Sequence, residues 1–476
     1  MSAQALKDQS FRDATPTIGK DGKREWVYPK KPQGKLYRWR TYLSLLLLTV
    51  LFTAPFISID GHPLILLNIF ERKFILFGIA FWPQDFFLFV FAMITFIMFI
   101  ILFTVIFGRI WCGWACPQTI FLEMVFRRIE YWIDGDSNQQ KALARSPWNT
   151  DKIIKRFTKY SVFILVSLLI VNTFAAYIIS INTLKDFYIN PGNHIVGHLA
   201  IFIISGLFFG VYTRFREQVC LVVCPYGRLQ GVLLDKNTLM VSYDKVRGEP
   251  RGKIHKNKER SIGDCVDCLQ CLQVCPGGID IRNGSQLECI NCTACIDACN
   301  SMMERLNMPK GLIRYDSEYG IVNKTKFRFT ARIIAYTVVL IVLFGVFTTL
   351  LAIRSDVQAT VLRTSGMMYQ TLPDNKVSNL YTYQIINKTF KNLPVQLRLV
   401  EPAEGEIKWV GKESISVSQD SLAEGEFFII LPQSEIKYTK TPLKIDLYSN
   451  GKFMSHIKTS FLGPNINANN KTNDKN

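Results

Sequence analysis

Eight of the twelve cysteines fall in two runs of identical spacing, which is typical of iron–sulfur ligation. The first run is Cys265, Cys268, Cys271 and Cys275, and the second is Cys289, Cys292, Cys295 and Cys299. Each reads C-x2-C-x2-C-x3-C, a spacing in which the fourth cysteine of one run ligates the cluster of the other run. The spacing predicts two 4Fe–4S clusters, one held by Cys265, Cys268, Cys271 and Cys299 and the other by Cys275, Cys289, Cys292 and Cys295.

Zinc and disulfide bonds are the competing interpretations of these cysteines. A zinc ribbon uses two C-x2-C pairs held apart by a longer loop, so the third and fourth cysteines of each run would be superfluous. Disulfides need an oxidising compartment, whereas the charge pattern described below indicates a cytosolic location for this segment. The second run lacks the usual proline, because Asn300 follows Cys299 where Pro276 follows Cys275, but the number of ligands is unchanged.

The other four cysteines form two matching C-x3-C-P pairs. Cys112 and Cys116 lie in WCGWACPQT, and Cys220 and Cys224 lie in VCLVVCPYGR. Residues four apart share a helix face, so each pair can point two thiols the same way, and the proline marks a bend or an end of the helix. Nearby cations are expected to favour the thiolates. These cations are Arg109, Arg214, Arg216 and Arg228.

Three interpretations of these pairs remain open at this point. Thiolates select soft metals, so the four sulfurs are candidate ligands of Cu(I), zinc or a further iron–sulfur cluster. They are also candidate redox-active dithiols, and in either role they are the candidate catalytic residues. The third interpretation is that small buried cysteines simply pack the helix ends.

Three histidines are candidates for a separate site. His194 and His198 lie four apart near the start of an apolar stretch, and His62 follows the first apolar stretch. A haem, copper or quinone site there is one interpretation, and helix-end histidines at the membrane interface are the other. About 33 Å of continuous helix, at about 1.5 Å per residue, separates residues 198 and 220, which is too far for direct electron exchange.

Apolar runs show that these residues sit in a membrane protein. The chain has 476 residues, 49% of them hydrophobic, and a formal net charge of +18. Because a spanning helix needs about 20 apolar residues, we predict five transmembrane helices. They lie at residues 41–59, 86–108, 160–184, 187–213 and 333–353. The apolar stretch at 64–82 is interrupted by charges and is interpreted as a re-entrant or interfacial segment.

Lysine and arginine predict the orientation. Ten of them lie in the first 40 residues and many others in the loop 109–159, whereas the loops at 60–85 and 185–186 hold almost none. The positive-inside rule places the amino terminus, the 109–159 loop and the cysteine-rich region in the cytosol, and five spans then place the carboxy terminus outside. Orientation and contact with anionic membrane lipid account for the basic charge, so no nucleic-acid partner is expected.

The predicted fold is a membrane protein with an α-helical bundle of five transmembrane helices, an α+β dicluster ferredoxin domain and a C-terminal all-β immunoglobulin-like sandwich. The sandwich is indicated by short alternating stretches between proline- and glycine-containing loops after residue 354. The predicted parts are a cytosolic basic segment at 1–40, transmembrane helices 1–4 at 41–213 with the cytosolic loop 109–159, a cytosolic ferredoxin domain at 214–328, transmembrane helix 5 at 329–353, an outer sandwich at 354–464 and a disordered tail at 465–476.

From about residue 35 to 461 the chain resembles the CcoG/FixG/RdxA family of cytochrome c oxidase accessory proteins. The motifs that carry this resemblance are WCGWACPQT, EQVCLVVCPYGRLQ, DKNTLMVSYDKVRGEPRG at 235–252, the double cysteine run with GIDIRNG between its halves, and GLIRYDSE at 311–318. The resemblance implies an iron–sulfur protein of the bacterial cytoplasmic (inner) membrane. It implies a role in assembling cbb3-type cytochrome oxidase, by reducing Cu(II) to Cu(I) for the catalytic subunit.

The resemblance also implies roles for residues and partners. The eight cysteines of the two runs would be cluster ligands, and Cys112, Cys116, Cys220 and Cys224 would handle copper or electrons. Partners would be oxidase subunits or copper chaperones, and a cytosolic electron donor. Two other functions remain as alternatives. One is a transmembrane relay from quinol to an external reductase, and the other is a scaffold that docks the oxidase through the outer sandwich.

Overall fold

The computed structural model describes residues 17, 21 and 23–464, apart from 60, 71–72, 254–262, 285, 287, 326–328, 412–414, 420 and 437. The predicted tail at 465–476 and most of the first twenty residues lie outside the described residues. The chain divides into two compact units. The cysteine unit combines Met1–Phe56 with Val90–Phe347, and the β-unit combines Ile57–Phe89 with Thr348–Asn476.

Fifteen α-helices lie in the described part of the chain, and five of them form the cores of candidate membrane spans. The helices are α1 Lys35–Thr53, α2 Phe86–Phe107, α3 Ile110–Trp114, α4 Pro117–Thr119, α5 Arg127–Ile133, α6 Ser137–Arg145, α7 Thr150–Ile179, α8 Ile181–Ile189, α9 Ile195–Gly210, α10 Pro225–Leu233, α11 Lys245–Gly248, α12 Gln270–Gln273, α13 Ala294–Arg305, α14 Glu318–Asn323 and α15 Ala331–Ile353. Short π-helical segments lie at Ile120–Phe126, Val211–Phe215 and Val219–Val223.

The five predicted transmembrane helices are present. By length and composition, the helical stretches that can cross a membrane in the described residues are Lys35–Phe56, Phe86–Phe107, Thr150–Ile179, Pro191–Phe215 and Ala331–Ile353. The third begins ten residues before the predicted 160, because the side chain of Asn149 accepts a hydrogen bond from the Lys152 amide at 2.9 Å and caps the helix in its polar region. Apolar length therefore located the spans but not their polar ends.

The strands of the described residues lie mostly in the β-unit. They are β1 Ser58–Ile59, β2 His62–Pro63, β3 Ile65–Asn68, β4 Lys73–Leu76, β5 Ile79–Phe81, β6 Met240–Tyr243, β7 Ile313–Asp316, β8 Val357–Arg363, β9 Gln370–Leu372, β10 Lys376–Asn387, β11 Leu393–Glu401, β12 Glu406–Trp409, β13 Ile415–Val417, β14 Ser421–Pro432, β15 Lys440–Ser449 and β16 Lys452–Leu462. From β8 onward they form two antiparallel sheets.

These two sheets form the predicted immunoglobulin-like sandwich. One has the order β12-β14-β10-β8, with β9 beside β10, and the other has the order β13-β11-β15-β16. Alternate residues of β14 are fully buried, namely Phe427, Ile429 and Leu431, as expected for a strand with one face toward a core. Tyr381 and Phe461 complete the centre of this core.

The apolar stretch at 64–82 is a three-stranded antiparallel sheet, β3-β4-β5, which the interpretation as a re-entrant or interfacial segment did not anticipate. Asp85, just after it, is buried, and its carboxylate pairs with Lys388 Nζ at 2.5 Å and Arg354 Nη2 at 2.8 Å. This ion cluster ties the loop between the first two spans to the segment after the fifth. The two segments must then lie on the same side of the membrane. Four spans separate them in the chain, and an even number of spans returns the chain to the side from which it started.

The cysteine runs fold around a small sheet of β6 and β7. Asp267 and Leu269 in the first run have φ of 53° and 57°, and Asn291 and Thr293, at the same places in the second run, have φ of 53° and 63°. Left-handed backbone is rare for Leu and for β-branched Thr, so its repetition shows that both runs adopt one local fold. Successive amides in such conformations form concavities that suit anions, including the sulfur atoms of iron–sulfur sites.

Candidate functional site

The structure gathers the eight cysteines of the two runs around two cavities. Cys265, Cys268, Cys271 and Cys299 line the first, which is called cavity A. Cys275, Cys289, Cys292 and Cys295 line the second, cavity B, and Cys271 borders it as well. These groups have the same membership as the predicted ligand sets, including the exchange of the fourth cysteine between runs. Of the twelve cysteines Cys268 is the exposed one, so cavity A is the one with a ligand at the protein surface.

The chemistry of the lining fits iron–sulfur clusters. Burial raises the pKa of Cys271 to about 11 and the pKa values of Cys289 and Cys299 to about 12. Such thiols lose their protons at neutral pH only when cationic iron replaces them. In the described part of the chain, no group of three or more His, Cys, Asp or Glu side chains is placed to hold a single metal ion. Sulfurs around a cavity suit a cluster, whose own atoms fill the space between them, better than zinc.

The two C-x3-C-P pairs also meet, in what is called the four-thiol site (Cys112, Cys116, Cys220 and Cys224). Burial raises the pKa of Cys220 to about 12, and the charges of the other three thiols add to this rise. Burial raises the pKa of Cys112 to about 11, and Cys116 and Cys224 contribute in the same direction. Cys112 and Cys220 therefore each lie close to both Cys116 and Cys224.

The predicted effect of the flanking arginines is present at Cys112 but is smaller than the effect of burial, and burial also dominates the pKa of Cys220. The positive charge of Arg109 lowers the pKa of Cys112, but burial outweighs it and the pKa rises. The guanidinium of Arg216 instead binds both carboxylate oxygens of Glu130, at 3.0 and 2.8 Å. At neutral pH these buried thiols are protonated unless a metal binds them.

The prolines of the two pairs begin helices. Cys116 and Cys224 each have extended backbone, with ψ of 126° and 110°, and Pro117 and Pro225 occupy the first positions of α4 and α10. Proline is favoured there because its missing amide hydrogen would have no partner inside the helix. The chain therefore turns sharply at the second cysteine of each pair.

Gln230 joins the two halves of the four-thiol site. Its side-chain oxygen accepts from Cys112 Sγ at 3.1 Å and from Arg109 Nε at 3.2 Å. Arg109 also donates to the carbonyl of Gly227, one turn earlier on α10. The fully buried Gln230 thus holds the helix of the second pair against the cysteine of the first. Sequence reasoning missed this residue, although it lies in the same short block as the second pair.

The four-thiol site and cavity B are separated by one layer of backbone. A Cβ atom on Gly113, between the cysteines of the first pair, would lie 2.4 Å from the Ile290 carbonyl oxygen and 2.9 Å from the Cys292 amide nitrogen. Only glycine permits that approach. Arg109 spans the same junction, because its charge opposes the burial-raised pKa of both Cys112 and Cys289.

A buried ion network braces the segment before Cys220. Glu130 accepts from Arg216 and pairs with Lys159 Nζ at 3.0 Å. Lys159 also pairs with Asp134 at 2.8 Å. Although burial opposes ionisation, Arg216 and then Lys159 and Arg127 lower the pKa of Glu130 to about 2. The network connects α5, α7 and the turn that leads into the second pair.

The candidate histidines have other partners. His62 belongs to the β-unit and stacks on Phe390 with ring centroids 3.9 Å apart. In the cysteine unit, His194 Nε2 lies 3.2 Å from Asp186, and His198 Nδ1 lies 3.0 Å from the His194 carbonyl oxygen. Among the described residues none of the three belongs to a group that could hold a metal ion.

Three family models match the chain. Residues 215–318 match a "4Fe-4S dicluster domain", and residues 89–136, which include Cys112 and Cys116, match a "4Fe-4S binding domain". Residues 347–464 match an "IG-like fold at C-terminal of FixG". Together with the five apolar helices, these matches establish a multi-pass membrane protein that transfers electrons through iron–sulfur chemistry.

Curated relatives share most of their length with this chain. Protein RdxB of Cereibacter sphaeroides is 31% identical over 464 residues, which cover 93% of this chain and 97% of RdxB. Protein RdxA of the same organism is 35% identical over 76% of this chain and 79% of RdxA. Nitrogen fixation protein FixG of Rhizobium meliloti is 31% identical over 86% of this chain and 87% of FixG. At this identity over nearly whole chains, the protein belongs to the FixG/RdxA family.

Proposed function

We propose that this protein passes single electrons from two 4Fe–4S clusters to the four-thiol site and there reduces Cu(II) to Cu(I). The clusters would be held by the eight cysteines around cavities A and B, and when bound they supply one-electron chemistry. The observation that carries the proposal is the backbone contact at Gly113, which places cavity B directly beside the four-thiol site. We infer that a cytosolic donor approaches cavity A, because the exposed Cys268 lies there.

The thiols suit the product of this reaction. Each Cu(II) takes one electron and becomes Cu(I), the copper form that soft thiolate ligands select. Cu(I) replaces the protons of the thiols that bind it, and these protons pass to solvent. Because the pKa values of Cys112 and Cys220 are raised, copper binding becomes stronger as the pH rises through the neutral range.

The cell location follows from the charge pattern. Lysines and arginines concentrate in the first 40 residues and in the loop 109–159, so we place these segments and the ferredoxin region in the cytosol of a bacterium and the β-unit in the periplasm. In the inner membrane, Cu(I) produced at the cytosolic face would serve assembly of cbb3-type cytochrome oxidase. Oxidase subunits or copper chaperones would receive it.

The test is anaerobic copper reduction by the purified full-length protein. The dithionite-reduced, desalted protein is mixed with Cu(II), and Cu(I) is read with a chromogenic chelator while cluster absorbance is followed. We expect one Cu(I) per electron released, and loss of most of the rate when all four cysteines of the four-thiol site are changed to serine. As a matched control, His194→Ala and His198→Ala should leave the rate unchanged. An undiminished rate in the four-cysteine variant would overturn the proposal.

One observation favours a second candidate, a further iron–sulfur cluster at the four-thiol site. The "4Fe-4S binding domain" model covers residues 89–136, and the cysteines in that range are Cys112 and Cys116. The site would then be a third electron carrier, and copper would be reduced elsewhere. Iron analysis separates the two candidates. Two clusters give eight irons per chain, whereas a third raises the count by four, and the four-cysteine variant would lose those four.

A further inference from the structure

A cavity of about 540 Å³ lies beside the first turns of α1, away from the cysteines. Three cations line it, Lys31, Arg38 and Arg128. None of the described residues that line it is acidic. The remaining lining is aromatic apart from a threonine, with Tyr42 and Trp132 among its members. A concave surface with three like charges and no carboxylate attracts an anion.

The side chains of the three cations have no ion-pair partner among the described residues, although many other arginines of the cysteine unit are paired. The nearest carboxylate contact is at the Lys31 backbone, whose amide donates to Asp136 Oδ1 at 2.9 Å. Arg128 is nevertheless held in place. Its Nη2 donates to Thr41 Oγ1 at 2.6 Å, and its guanidinium lies 5.7 Å from the centre of the Tyr37 ring. Both partners are neutral, so the charge of Arg128 is positioned without being cancelled.

The position of the cavity along α1 sets the depth of its ligand in the membrane. The span begins at Lys35, so Arg38 and Tyr42 occupy its first two turns. Tyr42 is 61% exposed and Trp132 is 83% exposed. Tyr42 lies on a spanning helix and Trp132 on the short helix α5 beside the same cavity, and exposed Tyr and Trp near the end of a span are typical of the level of lipid headgroups. The cavity therefore opens where lipid phosphates lie.

We propose that this cavity binds the phosphate headgroup of an anionic phospholipid. The fork of donors on each arginine matches phosphate oxygens, and Lys31 adds a point charge. Basic pockets at the ends of membrane helices bind such headgroups. A bound lipid would join α1 to α5, which carry Arg38 and Arg128, respectively. Free phosphate is also an anion but lacks the acyl chains that the membrane position favours.

The experiment measures lipid binding to the purified full-length protein in neutral detergent. The ligands are fluorescent phosphatidylglycerol, fluorescent phosphatidylcholine and inorganic phosphate as a competitor. The variant is Lys31→Gln/Arg38→Gln/Arg128→Gln. The control is Lys141→Gln/Arg145→Gln/Lys236→Gln, which removes the same charge from exposed residues outside the cavity. Cluster absorbance and thermal melting verify that each variant is folded.

Cations near a membrane surface contribute about fivefold each to affinity for an anionic lipid. The triple variant should therefore bind phosphatidylglycerol about 100-fold more weakly, and the control within about threefold of the wild type. If the triple variant does not fold, Arg38→Gln alone, at an exposed side chain, should lose about fivefold. Equal affinity of the cavity variant and the wild type would overturn the proposal. So would equal binding of phosphatidylcholine, or complete competition by inorganic phosphate at the concentration of the lipid.

Discussion

Changing Gly113 to alanine tests the junction between cavity B and the four-thiol site. The new Cβ would lie 2.4 Å from the Ile290 carbonyl oxygen, where ordinary contact begins at 3.4 Å, so the two segments must separate by 3.4 − 2.4 = 1.0 Å. Overpacking of this kind costs about 1–3 kcal/mol of stability. A displacement of about 1 Å between reacting groups can lower a rate by about 100-fold. We therefore expect copper reduction to slow by about 10- to 100-fold.

The assay separates a displaced junction from a lost cluster. Iron content and cluster absorbance are measured on Gly113→Ala first, and the rate of Cu(I) formation is then compared at equal iron. Gly206→Ala is the matched control, because it lies in α9 and a Cβ there meets nothing within 4 Å. The control should keep the wild-type rate. A Gly113→Ala protein with full iron and an undiminished rate would show that electrons do not cross at this junction.

Four further predictions concern buried charges and thiols. Glu130→Gln should destabilise the protein by about 3–5 kcal/mol in urea or thermal unfolding, because Arg216 and Lys159 lose their carboxylate; a change below about 0.5 kcal/mol would contradict this. The folded pKa of Glu130 is lowered from 4.5 to about 2, which corresponds to about 3 kcal/mol of folding stability. This stability is fully present above pH 4.5 and is lost as the pH falls toward 2. Over that range Glu130→Gln should therefore lose less stability than the wild type. In metal-free protein, alkylation of Cys112 should accelerate up to about pH 11, and a plateau near pH 8 would contradict its raised pKa. Asp85→Asn should destabilise the β-unit by about 3–5 kcal/mol in thermal melting because Lys388 stays buried without its partner, and exposed Asp374→Asn is the control that should change nothing.

The sequence predicted the features that depend on spacing and on long apolar runs. The spacing of the cysteines was sufficient to predict that Cys299 joins the first three cysteines of the first run around one cavity, because this spacing is typical of runs that exchange their fourth ligand. The five spans were predicted from the length of the apolar runs alone, because every helix that crosses a bilayer needs about 20 apolar residues. The β-sandwich was predicted from the two-residue alternation seen in β14.

The features that escaped prediction depend on desolvation and on packing between distant segments. Arg109 lies three residues before Cys112, yet burial decides the pKa of that thiol, and the sequence does not report burial. The contact of Gly113 with Cys292 joins residues far apart in the chain, and a single glycine carries no spacing signal. A short apolar run such as 64–82 suits a strand or a buried helix equally well, so periodicity could not reveal its sheet.

X-ray absorption at the copper edge tests the central claim most directly. One equivalent of Cu(II) is added anaerobically to the reduced, full-length protein and to the variant in which Cys112, Cys116, Cys220 and Cys224 are serine. We expect Cu(I) with sulfur ligands in the wild type, and copper that stays Cu(II) or has oxygen and nitrogen ligands in the variant. Identical spectra for the two proteins, or Cu(I) without sulfur ligands in the wild type, would contradict it.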